Sequence, residues 1–524
     1  MQYIADASEA KEMDGISIHK IGIPSFVLME RASLCVSDCV RSFAEKEKDR
    51  ILVVCGMGNN GGDGAACGRI LSEAGYNVQI LILGQEEKAS EEMKQQLFIA
   101  RNLLIPVITT AVLSEYTVII DAVFGIGLSR DVTGIYAEWI RKINQSGASV
   151  VAVDIPSGID ASSGKVLGIA VKADYTVTFG VNKRGLVLFP GMQYAGTVIV
   201  ADIGFPKKAV EEVMPKAVSY EKEDFLELFP KRIPRSNKGS YGKTLVIAGS
   251  EQMSGAAFFA AAAAYRVGNG LVKIVTHENN RVMLQTNLPE ALLWTYDGTE
   301  ILGEGAAAGQ KGRKDAVFEK ELSEQIKWAT TIIIGPGLGK SAFAAFLLKQ
   351  VLLVREVPVL VDADGLNLLS EFLRDGMSFG EAGNCLNDGG TPLVLPGNFV
   401  LTPHLKEMSR LTGKDVKQIK EDLIVACRDI SGAVLVLKDA RTIVSDGKRL
   451  SINQSGNNAL AKGGSGDVLS GIIGGLLALG MPGFEAASLG VYLHGLTAEE
   501  YVKKRGYSSM IASDILEELK ALLP

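Results

Sequence analysis

Continuous apolar runs, each closed by glycine or a polar residue, recur along the chain. The first, Ile51-Leu52-Val53-Val54-Cys55, predicts a strand buried on both faces. Residues 8–43 before it read as helices broken at Gly22-Ile23-Pro24. After it the pattern predicts a helix through Leu71, a strand over 77–83 and a helix over 89–102. A strand over 117–120 ends at Asp121, and another covers 149–153. The alternation returns later, with strands at 244–248, 271–275, 331–334, 359–361, 400–401 and 434–437. The alanine-rich residues 256–267 predict a closely packed buried helix, and the apolar run after Asp467 predicts another. Strands alternating with helices mean parallel sheets covered on both faces, so the fold class is α/β.

At 524 residues the chain is too long for one ordinary core. Residues 206–237 carry Pro206, Pro215, Pro230 and Pro234 with Glu211, Glu212, Glu221 and Glu223 between them, and read as a linker. The boundary is placed near Tyr220, giving domains at 1–220 and 221–524. Residues 297–325 read as a surface insertion and 374–391 as a loose loop. The glycine loops of the two halves differ, so no internal repeat is expected.

A hydrophobic content of 47% with 22% charged residues describes a soluble globular protein. The net charge of −6 argues against a nucleic-acid surface. The start, Met1-Gln2-Tyr3-Ile4-Ala5-Asp6, lacks the basic and apolar segments of a signal peptide. The greasy stretch after Asp467 is broken by glycines and leads into Met481-Pro482-Gly483, which suits a buried helix better than a membrane span. The six cysteines are too scattered for a disulfide framework or a zinc site, and Cys35 and Cys39 are expected as buried thiols. A reducing cytoplasm is the expected compartment.

Chemistry gathers where strands end. The first strand runs into Gly56-Met57-Gly58-Asn59-Asn60-Gly61-Gly62-Asp63-Gly64, a glycine-rich turn before a helix. That is a Rossmann-like arrangement without the usual dinucleotide fingerprint. Asn59 and Asn60, Asp121, and Asp154 with Ser157 stand at three strand ends. One such aspartate is ordinarily a cap or turn residue. Three ends of one parallel sheet share an edge and can converge. Oxygen ligands without His or Cys suit a hard cation.

In the second half, Lys462-Gly463-Gly464-Ser465-Gly466-Asp467 feeds an apolar helix. Glycines let the backbone turn its N–H groups toward one point, and the helix dipole adds positive potential there, so the loop suits phosphate. Asp467 reads either as a helix N-cap or as a general base beside that cradle. His404 follows a proline and reads as a turn histidine or a site residue. Lys438 and Arg441 read as a solvated pair or as neutralisers of nucleotide phosphates.

Residues 56–64, Asp121 and Asp154-Ile155-Pro156-Ser157-Gly158 together resemble the NAD(P)H-hydrate epimerase family. The resemblance implies a Rossmann-like three-layer domain that interconverts the R and S forms of hydrated NADH and NADPH. It implies that Asn59, Asn60, Gly61, Gly62 and Asp63 hold that substrate together with Gly125, Ile126, Gly127, Leu128, Ser129, Arg130 and Asp131. It further implies potassium at Asn60, Asp121 and Ser157, Asp154 as substrate contact and acid/base, and Tyr136 in the same pocket.

From Lys238 onward, residues 335–339, 362–367, 402–408, 438–442 and 463–467 resemble the ADP- or ATP-dependent NAD(P)H-hydrate dehydratases of the ribokinase-like superfamily. The resemblance implies a ribokinase-like α/β domain in which Ala256, Gly337, His404 and Asp467 contact the hydrated dinucleotide. Lys438, Asp439, Ala440, Arg441 and Thr442, with Gly463, Gly464, Ser465 and Gly466, would bind the nucleotide. Leu405-Lys406 and Ser465 depart from the family's commoner Pro-Gly and threonine. The expected activity is a bifunctional one, isomerase and lyase. The S form is dehydrated with ADP and Mg²⁺, giving AMP and phosphate, and the donor is taken as ADP because fused enzymes of this family use it. The alternatives are a ribokinase-like small-molecule kinase of the hydroxymethylpyrimidine or thiazole type, and a non-catalytic binding protein. Hydrated NADH or NADPH and ADP are the expected partners, with no nucleic acid, no membrane, and a homo-oligomeric assembly.

Overall fold

The computed structural model describes residues 1–298, 308–375 and 393–523. The chain divides into two compact units, Gln2–Val218 and Ser219–Pro524.

In the first unit the strands are β1 (Arg50–Cys55), β2 (Asn77–Ile82), β3 (Val107–Ile108), β4 (Val118–Ala122), β5 (Ser149–Val153), β6 (Tyr175–Phe179) and β7 (Thr197–Ala201). They pair in the order β3-β2-β1-β4-β5-β6-β7, all parallel. The helices α1 (Ala7–Gly15), α2 (Ser25–Arg41), α3 (Asn59–Glu73), α4 (Glu91–Asn102) and α5 (Gly134–Gln145) complete the unit. Val36, Met93 and Leu97 pack on one face of the sheet and Trp139, Ile140 and Ile143 on the other, giving three layers. Strand order reverses between β1 and β4, which opens a crevice at their carboxyl ends.

Three local expectations change. The helix begins at Asn59, inside the glycine run, because those glycines press α3 onto the sheet. A Cβ on Gly61 would stand 1.9 Å from the Gly56 carbonyl oxygen, and one on Gly64 would stand 2.3 Å from the Ala122 side chain. Asp121 lies within β4 and is fully buried, where the sequence places it past the strand end. The expected linker is also more ordered than its prolines suggest, since Lys207–Val213 and Lys222–Leu228 are helices.

In the second unit the strands are β8 (Lys243–Ile247), β9 (Leu271–His277), β10 (Leu292–Tyr296), β11 (Thr331–Ile334), β12 (Val359–Val361), β13 (Phe399–Leu401), β14 (Val434–Leu437), β15 (Ile443–Ser445) and β16 (Leu450–Ile452). They run in the order β10-β9-β8-β11-β12-β13-β14-β15-β16. Pairing is parallel as far as β14 and antiparallel from there on. The helices that matter here are α6 (Ser254–Arg266), α7 (Ala308–Trp328), α8 (Ala342–Leu352), α9 (Asp364–Arg374), α10 (Leu405–Thr412), α11 (Ser465–Ala478), α12 (Gly483–Arg505) and α13 (Ala512–Leu522).

The alanine run is the buried helix expected of it. Ala257 and Ala260 through Ala264 are buried on α6, and small residues on both partners let α11 lie directly against it. A Cβ on Gly471 would stand 2.2 Å from the Ala260 carbonyl oxygen. Residues 308–325, most of the expected surface insertion, instead belong to one helix, α7. Its Phe318 and Leu322, four positions apart, are buried, and Phe318 packs against Trp294 at a ring-centroid distance of 4.9 Å. Residues 299–307 of that stretch, and the expected loose loop from residue 376 on, lie outside the described residues. Among the described residues no helix is long and apolar enough to cross a membrane.

The α6–α11 contact makes a stability prediction. Gly471→Ala gains helix propensity but drives a methyl into backbone, so a loss of about 1–3 kcal/mol is expected in urea unfolding of the second unit. Gly15→Ala, with open space and right-handed helical backbone, is expected to be neutral or to stabilise by about 0.4–1 kcal/mol. Equal unfolding midpoints for Gly471→Ala and the parent would refute the close-packing account.

Two candidate active sites

In the first unit the carboxyl ends of β1, β4 and β5 supply a polar cluster. Asp121 Oδ1 accepts from the Ser157 hydroxyl at 2.6 Å and the Val123 N–H at 3.3 Å, while Oδ2 accepts from the Ser157 N–H at 2.8 Å. The Phe124 N–H donates to Ser157 Oγ at 2.8 Å, tying the loop after β4 to the end of β5. Asn60 abuts that loop, because a Cβ on Gly125 would stand 2.9 Å from Asn60 Oδ1. Among the described residues the buried Asn60 Nδ2 has no partner. Burial pushes the Asp121 carboxyl up to about 6 despite the Ser157 and Val123 hydrogen bonds. The cluster thus offers oxygens around a single carboxylate. Among the described residues no three His, Cys, Asp or Glu side chains group as metal ligands. The donor set fits a singly charged, weakly hydrated cation better than a transition metal.

Asp154, just past β5, has φ +63°, a left-handed conformation costly for a residue with a Cβ. It belongs to the lining of a cavity of about 100 Å³, with Asp14, Asn59, Asp63, Phe179 and Lys183 among others. Ile126 joins this lining, so the structure brings together Asn59, Asp63, Ile126 and Asp154. Burial and the neighbouring Asp154 raise the Asp14 carboxyl to about 6. Burial, with Asp154, Asp14 and Glu92 close by, raises Asp63 well above the carboxylate range. Gly61 and Gly62 face the sheet and Met29 instead, while Gly127, Ser129, Arg130 and Asp131 are solvent-exposed in the loop leading to α5. Leu128 packs with the core on the α5 side, as does Tyr136, whose ring lies 4.9 Å from Phe124 and whose hydroxyl donates to the Leu83 carbonyl at 3.4 Å.

In the second unit Gly464, at φ +85°, is the N-cap of α11, and no side chain caps that helix. A helix start left open in this way is an anion cradle. Asp467 is therefore inside the first turn and is not the cap. Burial and the nearby Asp362 raise its carboxyl to about 6, against the pull of Lys438. The Lys438 Nζ lies 3.8 Å from where a Cβ on Gly466 would stand and donates to Asp362 Oδ1 at 2.8 Å. Asp362 Oδ2 accepts from the Ser470 hydroxyl at 2.6 Å, one turn along α11 from Asp467. Burial works against the Asp362 charge, but Lys438, Ser470 and Thr402 bring its carboxyl below the ordinary range.

His404 is the N-cap of α10, its Nδ1 accepting from the Lys406 and Glu407 N–H groups at 3.1 Å, and its imidazole remains exposed. Burial and the Lys438 charge hold its pKa below the usual histidine value. Gly337, at φ +59°, touches Ala256, since a Cβ there would stand 2.7 Å from the alanine methyl. Asp439 and Ala440 form the exposed turn after β14, with Thr442 just before β15, and Arg441 donates to the Gln454 carbonyl at 2.6 Å. The Ser465 hydroxyl is turned inward to His494 Nε2 at 3.1 Å, which leaves Gly463, Gly464 and the backbone of Ser465 and Gly466 as the open rim.

Residues 25–185 match the family model described as YjeF-related protein N-terminus, and residues 244–521 match that described as NAD(P)H-hydrate dehydratase. A bifunctional NAD(P)H-hydrate repair enzyme from Thermofilum pendens is 34% identical over 99% of this chain and 96% of its own length. One from Coxiella burnetii is 35% identical over 98% of each. The chain belongs to the bifunctional NAD(P)H-hydrate repair enzyme family. Among solved structures, the ADP/ATP-dependent NAD(P)H-hydrate dehydratase from Bacillus subtilis, co-crystallised with ATP and Mg²⁺, is 27% identical with a TM-score of 0.45, covering 58% of this chain and 96% of that one.

Within this repair-enzyme chain several neighbours of the expected residues escaped the sequence pattern. Lys183 pairs with Asp154 across 29 positions, and its only trace is a charge just past a buried strand. Asp14 comes from α1, far from any glycine loop. Glu407, three residues after His404, accepts from the His404 N–H at 2.8 Å, and burial raises it to about 7. His494 sits in the middle of α12 with no motif around it.

Burial lowers His494 to about 4. Its unfolded value is about 6.5, so the unfolded chain takes the proton first as pH falls, and stability drops between about 6.5 and 4. His494→Gln is expected to remove about 3 kcal/mol of the pH 7 to pH 4 decline in the second unit's unfolding free energy. An unchanged decline in urea melts of the variant would refute the buried neutral imidazole.

Proposed function

We propose that the first unit interconverts the R and S forms of hydrated NADH and NADPH, and that the second unit dehydrates the S form with ADP. The observation that carries the reading is Asp467 in the uncapped first turn of α11, with Lys438 below the same glycine loop. A carboxylate inside an anion cradle opposes simple anion binding. It suits a base that must meet a phosphoryl group.

In the second unit Asp467 takes the proton of the ring hydroxyl. The hydroxyl oxygen then attacks the terminal phosphorus of ADP, and the bond to the bridging oxygen breaks to release AMP. The Gly463–Gly466 backbone N–H groups and Lys438 meet the charge on the transferring group. Phosphate leaves from the ring carbon under push from the ring nitrogen, and the adjacent carbon gives up a proton to restore the double bond. Gly337, Ala256 and His404 line the dinucleotide side, and residues 438–442 the nucleotide side. Mg²⁺ carried on the nucleotide phosphates would screen their charge.

In the first unit Asp154 exchanges the hydroxyl proton while the carbon–nitrogen bond of the ring opens and re-forms on the other face. The nitrogen gains a proton on opening and loses it on closure. Asn59, Asp63 and Ile126 line that cavity and the glycine loops hold the rest of the dinucleotide. Potassium would sit at Asn60, Asp121 and Ser157, balancing the buried Asp121 carboxylate. We place the enzyme in the reducing cytoplasm as a homo-oligomer, in keeping with its thiols: Cys35, Cys39, Cys55, Cys67 and Cys427 are all free.

The first test incubates the chain with mixed R and S hydrated NADH, ADP, Mg²⁺ and K⁺, and follows restored NADH by absorbance. Recovery of both forms faster than spontaneous epimerisation is expected. Recovery with ATP alone would correct the donor, and a product that keeps its phosphate would make the second unit a small-molecule kinase. Asp467→Asn is expected to abolish restoration while ADP binding persists, and Asp154→Asn to confine repair to the S form. Because the Asp467 carboxyl is raised to about 6 by burial, dehydration kcat/KM is expected to rise up to about that pH and then level. A flat profile from pH 5 to 8 would remove Asp467 as the base.

A further inference from the structure

We infer that Lys183 is a positioning residue for epimerisation, clamping Asp154 through one oxygen so that the other carries the proton. The inference rests on the epimerase reading of the first unit.

Three donors converge on a single atom. Lys183 Nζ donates to Asp154 Oδ1 at 2.8 Å, the Thr178 hydroxyl at 3.0 Å and the Phe179 N–H at 3.3 Å. Among the described residues no donor reaches Oδ2, the oxygen left for the cavity. Lys183 is itself fixed, since its Nζ also donates to the Phe179 carbonyl at 2.8 Å and it is only 2% exposed. The left-handed backbone at Asp154 and the N–H it donates to the Val177 carbonyl at 2.8 Å hold the carboxylate from the other side.

The charges around the cavity give the lysine a second task. Asp14 faces Asp154 from α1, Asp63 from α3 and Glu92 from α4, and Lys183 is the one cation among the lining residues described. Burial and mutual repulsion already drive Asp14 and Asp63 toward their protonated forms. Lys183 places its ammonium on Asp154, 2.8 Å from Oδ1, and so sets that carboxylate apart from the others around the cavity. A buried pair serving stability alone has no need to face a cavity or to leave one carboxylate oxygen free.

The sign of the effect follows. Lys183→Met removes a positive charge 2.8 Å from the carboxylate, so the acid limb of the rate profile is expected to move up. The test follows conversion of R-form to S-form hydrated NADPH by chromatography, with the full chain, K⁺ and no ADP or ATP, across pH 5 to 9. Lys183→Met is expected to move the acid limb up by about one pH unit or more and to lower kcat about ten-fold at pH 7, with KM changed less than about three-fold. Lys183→Arg keeps the charge and is expected to keep the limb where it is. Lys183→Met is expected to leave dehydration of S-form substrate with ADP within about two-fold of the parent, because its effect passes through Asp154. An unmoved limb, or an equal loss of S-form dehydration, overturns the inference. If Lys183→Met does not fold, Lys183→Gln takes its place in the same comparison. A parent chain that converts no R form at all would instead refute the epimerase reading.

Discussion

Parallel strands place every carboxyl end on one edge of a sheet, and this constraint governs both units. A loop at that edge is free to carry polar atoms, because the hydrogen-bond ladder stops there. In the first unit the edge between β1 and β4 receives Asn59, Asn60, Asp121 and Asp154, from segments nearly a hundred residues apart. In the second unit the ends of β11, β12, β13 and β14 deliver Gly337, Asp362, His404 and Lys438 beside the start of α11. Neither collection needs a special fold. Each needs glycines wherever backbone must pass too close for a Cβ.

Those glycines do two different things. Gly464 supplies a left-handed N-cap that leaves the α11 N–H groups uncovered, which is a functional demand. Gly61, Gly64, Gly471 and Gly475 allow helix and sheet, or helix and helix, to touch at backbone distance, which is a packing demand. The sequence does not separate the two, because both appear as glycine near an apolar run. That is why the turn after β1 reads as a longer loop than it is, when α3 in fact starts inside it.

The α/β alternation was legible because buried parallel strands are continuous apolar runs with abrupt ends. The expected aspartates were legible for the same reason, standing where the runs stop. Asp121 shows the limit, because a buried polar residue one position inside a strand looks like one just past it. Helix α7 was hidden by the glycine-rich composition around its start, although Phe318 and Leu322 keep helical spacing. Contacts across long separations left no local trace. Ser465 meets His494 across 29 positions, and Arg184 meets Asp6 and Glu9 from the far end of its unit.

Each unit sets a lysine against a buried aspartate at 2.8 Å, yet the two pairs are wired differently. Breaking such a pair strands a charge at a cost on the order of 3–5 kcal/mol, so neither persists without a compensating arrangement. In the first unit the lysine grips Asp154, the acid/base of the proposed epimerisation, among carboxyls that burial drives toward neutrality. In the second the lysine is tied to Asp362, and Asp467 beside it is left to be raised to about 6 by burial. The chemistry proposed for each explains the difference. Epimerisation needs a carboxylate that takes and returns the same proton, so a fixed charge serves it. Phosphoryl transfer brings anionic oxygens next to the base, and a carboxyl that readily accepts the substrate proton avoids facing them as a permanent charge.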